Sequence, residues 1–382
     1  MLKKNINALA CKLFKKPHGN LLQLQEKVLM DKLKNSYSTM ISKRYGFETI
    51  SSVADYQKRV PVHHYDDAKK FWQFEIEGKQ GATLREKIRY FALSTGTTGK
   101  QKLIPVSKVL VNDNRKSEIF ILSQYLTSHP HSSLLTNKKL VISGCASLGK
   151  TPSGAPYGMI SGIMATTVPF LLKINLIPGK STINTSNWDD KVTAIAREVK
   201  GKKIGCIFGI ASSIVRFLKQ TKELYSRKEF EFFTHHLEAL FLSGVNYRIY
   251  KHDILELLER DIDLIEYYAA SEGIFGHQSS LNPEAMEFFY HTIFFECIPY
   301  RDYLDDHYNS RLLITQLEEG ESYVPAITSG NGGFSYILGD VIQCVDRKIP
   351  LFNLKGRTTL TLNLVAEKTS VDAVENRVTK II

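Results

Sequence analysis

Between Trp188 and Ala270 the chain alternates strand-like and helix-like segments, and this alternation restricts the fold more than any other feature. Residues 189–200 read as a helix. Asp189 and Asp190 stand at its start and Lys200 at its end, the order the helix dipole favours. Residues 204–210 form an apolar strand, 212–221 a helix, 239–242 a short strand, 246–260 a helix and 264–270 a strand. Strands separated by helices predict an α/β sheet with helices on its faces. Ligands of such sheets sit beyond the carboxyl ends of the strands, where the connecting loops gather. From residue 288 the character changes. Residues 288–298, 311–317, 323–328 and 334–345 are strand-like with turns between them, which predicts an antiparallel subdomain or barrel.

The remaining segments complete the outline. Residues 21–47 read as one long helix, because Leu22, Val28, Leu29, Leu33, Tyr37, Met40 and Ile41 recur near helical spacing. Ser107 is placed to cap a helix running to about residue 126. Residues 358–364 read as a strand, and a last helix is expected from residue 370. At the N-terminus, Met1-Leu2-Lys3-Lys4 followed by an apolar stretch imitates a lipoprotein signal. The stretch is short and broken by Asn7, so a basic amphipathic helix is expected there instead.

One loop carries chemistry. Phe91-Ala92-Leu93-Ser94-Thr95-Gly96-Thr97-Thr98-Gly99-Lys100-Gln101-Lys102 runs from an apolar β-prone half through hydroxyls and glycines to two lysines. Glycines let the backbone wrap closely round an anion. Successive N–H groups then form a nest for phosphate oxygens, to which hydroxyls and ammonium groups add donors. A polar surface turn has the same composition, and the loop alone does not separate the two readings.

Two distant stretches suit the same task. Tyr268-Ala269-Ala270-Ser271-Glu272-Gly273 follows one β-like run, and Leu338-Gly339-Asp340-Val341 follows another. Flanking pieces are Arg59-Val60-Pro61-Val62, Leu242-Ser243-Gly244-Val245-Asn246 and Phe294-Phe295-Glu296-Cys297-Ile298-Pro299. In this order and spacing, from about Gln23 to the end of the chain, the set resembles the adenylate-forming enzymes. Within them it is most similar to the Gretchen Hagen acyl-acid amido synthetases, the auxin-conjugating group with bacterial relatives.

The resemblance implies an adenylate-forming α/β fold. A large N-terminal domain with a β-rich subdomain would cover residues 1–350, and residues 351–382 would hold the hinge and the start of a small C-terminal domain. It implies ATP- and Mg²⁺-dependent activation of a carboxylic acid as an acyl-adenylate, followed by transfer to an amine such as an amino acid. Ser94, Thr95, Gly96, Thr97 and Thr98, with Lys100 nearby, would grip phosphate. Gly244, Val245 and Asn246 would flank adenine, Tyr268 would pack against it, and Ser271 would lie near the α-phosphate. Glu272 would bind Mg²⁺, since hard oxygen suits that ion. Asp340 would accept hydrogen bonds from the ribose hydroxyls, and Arg357, at the hinge, would contact ribose or phosphate. Each residue also has a plain reading. Tyr268 is then a core tyrosine, Glu272 an exposed carboxylate at a strand end and Asp340 a turn aspartate after Gly339.

In the resembled family a substantial C-terminal domain follows the hinge and brings a catalytic lysine. Here 382 − 357 leaves 25 residues after Arg357. The expectation is therefore a fragment, a degenerate homologue or a chain that needs a C-terminal partner, binding ATP but making amides poorly alone. A non-catalytic ATP-binding homologue and an acyl-CoA ligase remain the alternatives.

Other function classes fit less well. Lys plus Arg outnumber Asp plus Glu by 50 to 39, giving +11, but the basic residues are scattered and no nucleic-acid signature stands out. The five cysteines, Cys11, Cys145, Cys206, Cys297 and Cys344, are widely spaced, which argues against a disulfide framework and suits a cytoplasmic protein. No apolar run is long enough for a membrane span. Gly144-Cys145-Ala146-Ser147-Leu148-Gly149-Lys150-Thr151 matches a P-loop pattern. A working P-loop needs a helix to begin at its Lys-Thr end, and Pro152-Ser153-Gly154-Ala155-Pro156 forbids one. His63, His64, Asp66 and Asp67 imitate a metal cluster, yet Pro61 and their adjacency favour a turn.

Overall fold

A computed structural model of the protein describes residues 7–8, 19–95, 101–169, 173–244, 247–358, 361–364 and 367–370. Its centre is a large mixed sheet. The strands Leu176–Ile177, Lys138–Ile142, Ile204–Ile210, Ala239–Ser243 and Asp263–Ala270 pair in parallel. Gly273–Gln278 then turns back against Asp263–Ala270, and the sheet continues antiparallel through Met286–Phe288, Leu351–Arg357, Asp340–Asp346, Ser322–Thr328 and Phe294–Pro299. The strand-only region is antiparallel, as its sequence predicts. It extends the parallel sheet rather than closing a separate barrel. A second, four-stranded sheet holds Gln101–Val106, Tyr90–Thr95, Pro156–Gly158 and Gly149–Lys150.

Local chemistry explains most element ends. Ser107 accepts from the backbone N–H of Leu110 and starts the helix Lys108–Ser128. Asn187 caps Trp188–Val199 in the same way, with Asp189 and Asp190 in the first turn. The long helix expected over residues 21–47 is broken. It runs Leu21–Asn35, then Met40–Tyr45, then a 3₁₀ turn Phe47–Thr49. Ser38 adopts a positive φ of 65° and Thr39 caps a new helix, so local hydroxyl bonds outcompete the apolar periodicity. Residues 311–317 are not a strand; Leu312 makes only an isolated bridge to Cys297. The stretch is held instead by Arg311, which binds the carbonyls of Gln57 and Val60. Residues 288–298 are two strands separated by a turn, and Arg227–His235 is a further helix between Ala211–Leu224 and Ala239–Ser243. Thr361–Leu364 pairs with Glu367–Ser370. The N-terminal amphipathic helix and the last helix expected after Ser370 lie outside the described residues, save that Asn7 and Ala8 are helical.

The helix Leu21–Asn35 docks on the antiparallel part of the sheet. Buried Gln25 donates to the carbonyls of Tyr290 (2.6 Å) and Ile293 (2.8 Å) and accepts from the Phe295 N–H (2.9 Å). Around it Leu29, Leu33, Phe47, Tyr56, Phe294 and Phe334 form an apolar cluster. Lys32 forms a buried ion pair with Asp113, which ties this helix to Lys108–Ser128. His63 sits between two partners: Nδ1 donates to the Phe334 carbonyl (2.7 Å) and Nε2 accepts from the Tyr45 hydroxyl (3.0 Å). Both ring nitrogens are therefore used in packing, and burial lowers the imidazole's pKa. Among the described residues, no helix is long and apolar enough to cross a membrane.

The P-loop-like stretch becomes a turn of short strands. Gly149–Lys150 pairs with Pro156–Gly158, and no helix starts at Lys150. Gly158 and Gly162 are required by close backbone approach. A Cβ on Gly158 would meet the Ala146 carbonyl at 2.4 Å, and one on Gly162 the Gly144 carbonyl at 2.4 Å. Small residues thus press residues 144–146 against the segment after Tyr157.

Glu75 gives the fold a pH dependence. It is 4% exposed. Its Oε1 accepts from the Thr83 N–H (2.9 Å) and hydroxyl (2.7 Å), while Oε2 has no partner among the described residues. Burial pushes its carboxyl from the ordinary 4.5 up to about 7. The folded value lies above the unfolded one. The stabilisation from this group is therefore complete below about pH 4.5 and is lost as pH rises through about 7. Glu75→Gln keeps the acceptor oxygen and removes the charge. In thermal unfolding it should match the wild type near pH 4.5 and exceed it by several degrees near pH 8.

Candidate functional site

The site grows from one strand start, one strand end and two hairpins. Gly339, at φ +79°, makes the turn that delivers Asp340 to the first position of Asp340–Asp346. Antiparallel pairing sets Asp340 opposite Arg357, the last residue of Leu351–Arg357. Arg357 Nε binds Asp340 Oδ1 at 2.9 Å. The Tyr268 hydroxyl, from Asp263–Ala270, donates to Asp340 Oδ2. Asp340 is 7% exposed, so its carboxylate is a buried acceptor held between a cation and a phenol. Burial and the neighbouring Asp340 charge raise the Tyr268 pKa well above the ordinary value, which keeps the phenol a donor. The ring of Tyr268 packs against Phe275 (4.9 Å) and Phe352 (6.2 Å), so it is also a core tyrosine.

Ser271 and Glu272 occupy the tight connection between Asp263–Ala270 and Gly273–Gln278, where Ala270 pairs with Gly273. Ser271 lines a cavity of about 1340 Å³, together with Ser94, Gly244, Tyr268, Asp340 and Arg357. Glu272 does not line it. Its carboxylate accepts a hydrogen bond from the Tyr336 hydroxyl, and its charge reaches Tyr65 and Lys102. It is buried (8% exposed), not the exposed strand-end carboxylate of the plain reading. Ser329 fixes the turn by donating to the Glu272 carbonyl (3.0 Å).

The phosphate-loop sequence spans a hairpin. Thr95 ends Tyr90–Thr95 and pairs with Gln101, which begins Gln101–Val106. Gly96, Thr97, Thr98 and Lys100 lie outside the described residues, as do Val245 and Asn246. Lys102, just beyond the loop, sits over the Tyr65 ring at 4.8 Å. Burial lowers its pKa, Glu272 raises it and Arg357 lowers it. Lys102 is therefore the described lysine in electrostatic contact with both Glu272 and Arg357.

Several cavity residues were not singled out from sequence. Asn114, Arg115 and Glu118 of the helix Lys108–Ser128 line the same cavity, as do Arg248 and Glu266. Burial raises the Glu266 carboxyl, partly offset by Arg248. In sequence Asn114, Arg115 and Glu118 fall within the helix expected to run to about residue 126, and nothing local shows that this face is covered.

The cavity exceeds the roughly 300–1,000 Å³ of a single small-ligand site, leaving room for two substrates side by side. A buried carboxylate at one wall can accept from a pair of hydroxyls. The Arg357 guanidinium stands beside it, and the hydroxyls of Ser94 and Ser271 line the same cavity. Among the described residues no group of three His, Cys, Asp or Glu side chains could hold a metal ion. Glu272, the carboxylate expected to bind Mg²⁺, stays turned to Tyr336 outside the cavity lining.

The sequence matches the GH3 family N-terminal domain over residues 10–240 and the GH3 family central domain over residues 286–357. Among solved structures, the GH3.15 acyl acid amido synthetase is similar with a TM-score of 0.71 at 16% identity, covering 94% of this chain and 72% of that one. The AtGH3.15 acyl acid amido synthetase in complex with 2,4-DB gives 0.74 at 17%, covering 98% and 75%. A 2-hydroxyisobutyryl-CoA ligase in complex with 2-HIB-AMP and CoA gives 0.57 at 12%, covering 93% and 73%. No curated protein matches by sequence. These structural likenesses carry the adenylate-forming fold, and the two domain matches, spanning most of the sequence, carry the family: the chain belongs to the GH3 family of acyl acid amido synthetases.

Proposed function

We propose that this chain activates a carboxylic acid with ATP and Mg²⁺ as an acyl-adenylate, which an amine such as an amino acid then captures. A substrate carboxylate oxygen forms a bond to the α-phosphorus while the bond to pyrophosphate breaks. In the second step the amine nitrogen bonds to the acyl carbon, AMP leaves, and the amine gives up a proton. The acid is itself the nucleophile, so the chain needs to bind, orient and stabilise charge rather than supply a reacting side chain.

The observation that carries this reading is the meeting of Asp340, Arg357 and Tyr268 on one wall of a cavity that Ser94 and Ser271 also line. Asp340 would hold the ribose hydroxyls, and Arg357 would be freed to meet ribose or phosphate. Tyr268 and Gly244, with Val245 and Asn246, would bound the adenine. Ser94 through Thr98 and Lys100 would grip phosphate, and Glu272 would supply the Mg²⁺ carboxylate only on turning from Tyr336 into the cavity. In this reading residues 1–350 form the adenylation body, and the hinge begins at 351, whose strand is still bonded into the sheet.

Acid-dependent exchange of labelled pyrophosphate into ATP tests it, run with aromatic and aliphatic acids and with Mg²⁺. Exchange that needs both an acid and Mg²⁺, and stops on chelation, is expected. No exchange with any acid would overturn adenylation and leave an idle nucleotide-binding homologue.

A further inference from the structure

Glu118 has no role in the reading above, yet it faces the cavity. It lies in the interior of Lys108–Ser128, one turn beyond Arg115. Burial pushes its carboxyl up to about 7, and Arg115 offsets only part of this. Arg115 is itself engaged, donating from Nη2 to the Thr167 hydroxyl at 3.3 Å. Among the described residues Glu118 has no hydrogen bond and no ion pair within 4 Å. From the facing strand Tyr267 lies within electrostatic reach; its own hydroxyl is bonded to Ser243, so it does not serve Glu118.

The position of the helix gives this carboxylate a purpose. A Cβ on Gly273 would lie 3.8 Å from Asn114 Oδ1, so the helix passes beside the Ser271–Gly273 turn at residue 114. Four residues further, about 6 Å along the axis, stands Glu118. Met164 and Ala165 wall the cavity near this helix, with Asn114 Nδ2 3.9 Å from Met164 Sδ. An acid with its carboxylate at Ser271 would run its body along this apolar wall and bring its far end to Glu118. A half-buried carboxylate facing the cavity, with no hydrogen-bond partner among the described residues, is open to a donor carried by a ligand.

We propose that Glu118 selects the acyl substrate: it accepts a hydrogen bond from a hydroxyl carried by the acid at the end remote from its carboxylate. This rests on the adenylation reading for where the acid's carboxylate lies. Arg115 on the same face disfavours an ammonium group, so a neutral hydroxyl is the fitting donor.

Calorimetry on the full chain without ATP tests the preference directly. The probes are para-hydroxyphenylacetic acid against phenylacetic acid and para-hydroxybenzoic acid against benzoic acid. The hydroxylated member of at least one pair should bind about 10-fold more tightly or better, as for a hydrogen bond to a charged group. Glu118→Leu should erase or invert that ratio. Glu118→Gln, which still accepts, should keep part of the ratio. Equal binding within both pairs, no binding of any probe, or a ratio that survives in Glu118→Leu would overturn the proposal. Pyrophosphate exchange on the same samples reports adenylation separately, so either idea can fail without the other.

Discussion

Asp340→Asn should lower ATP affinity and acid-dependent pyrophosphate exchange by about 100-fold or more while leaving the chain folded. The carboxylate is buried, and its oxygens are the acceptors of Tyr268 and Arg357. Two ribose hydroxyls bound to an ionised acceptor contribute about 1.5–3 kcal/mol each, and a neutral amide cannot accept both. The variant keeps the side chain's shape and one acceptor for Tyr268, so the strand pairing of Asp340 with Arg357 should persist. Calorimetric ATP titration beside a thermal melt separates the two effects. An Asp340→Asn protein with wild-type ATP affinity would remove Asp340 from the nucleotide site. One that has lost its cooperative melt would make the residue structural first.

The largest effect on stability should come from Arg311→Ala, at about 3–5 kcal/mol, the range for uncovering a buried charge. Glu296 is fully buried, and Arg311 Nη1 lies 3.2 Å from its Oε1. The guanidinium also binds Ser335 Oγ (2.8 Å) and the Val60 carbonyl (3.0 Å), so one side chain joins three chain segments. Gln57 donates to Glu296 as well, at 3.1 Å. Burial already raises the Glu296 carboxyl, and Arg311 is the first influence opposing it. Without Arg311 the folded value climbs further above the unfolded one, so stability is lost as pH rises. Arg311→Ala should therefore melt well below the wild type near pH 8, with a smaller deficit near pH 5. The pair Arg311→Met with Glu296→Leu should recover much of the loss, because paired apolar groups of similar volume replace a buried ion pair at little cost. A single variant that melts within a degree or two of wild type would sink this account.

The two predictions draw on residues that the sequence disclosed unequally. Asp340 was legible: a glycine turn, an aspartate and a β-like run stand in order after the Tyr268–Glu272 and Ser94–Thr98 stretches. Arg311 was not. Its stretch reads as a strand because Leu312, Leu313 and Ile314 are apolar, and only the tertiary partners of its guanidinium show why it is irregular. The break at Ser36–Thr39 was missed for a related reason. Apolar periodicity continued through it, while hydroxyl caps and the positive φ of Ser38 decided the backbone.

The sequence by itself determined the strand–helix alternation of the parallel half, the antiparallel half after residue 288, and the order of the motifs. These follow from periodicity, caps and turn residues, which act over a few neighbours. The tertiary structure alone decided which side chains meet. Tyr268 reaches Asp340 across 72 positions because their strands belong to one sheet, and Glu272 turns to Tyr336 rather than into the cavity. It also decided that Arg115 and Glu118 face inward. A charged stripe on a helix looks the same whether water or a ligand cavity covers it, and only the packing of distant strands against that face tells the two apart.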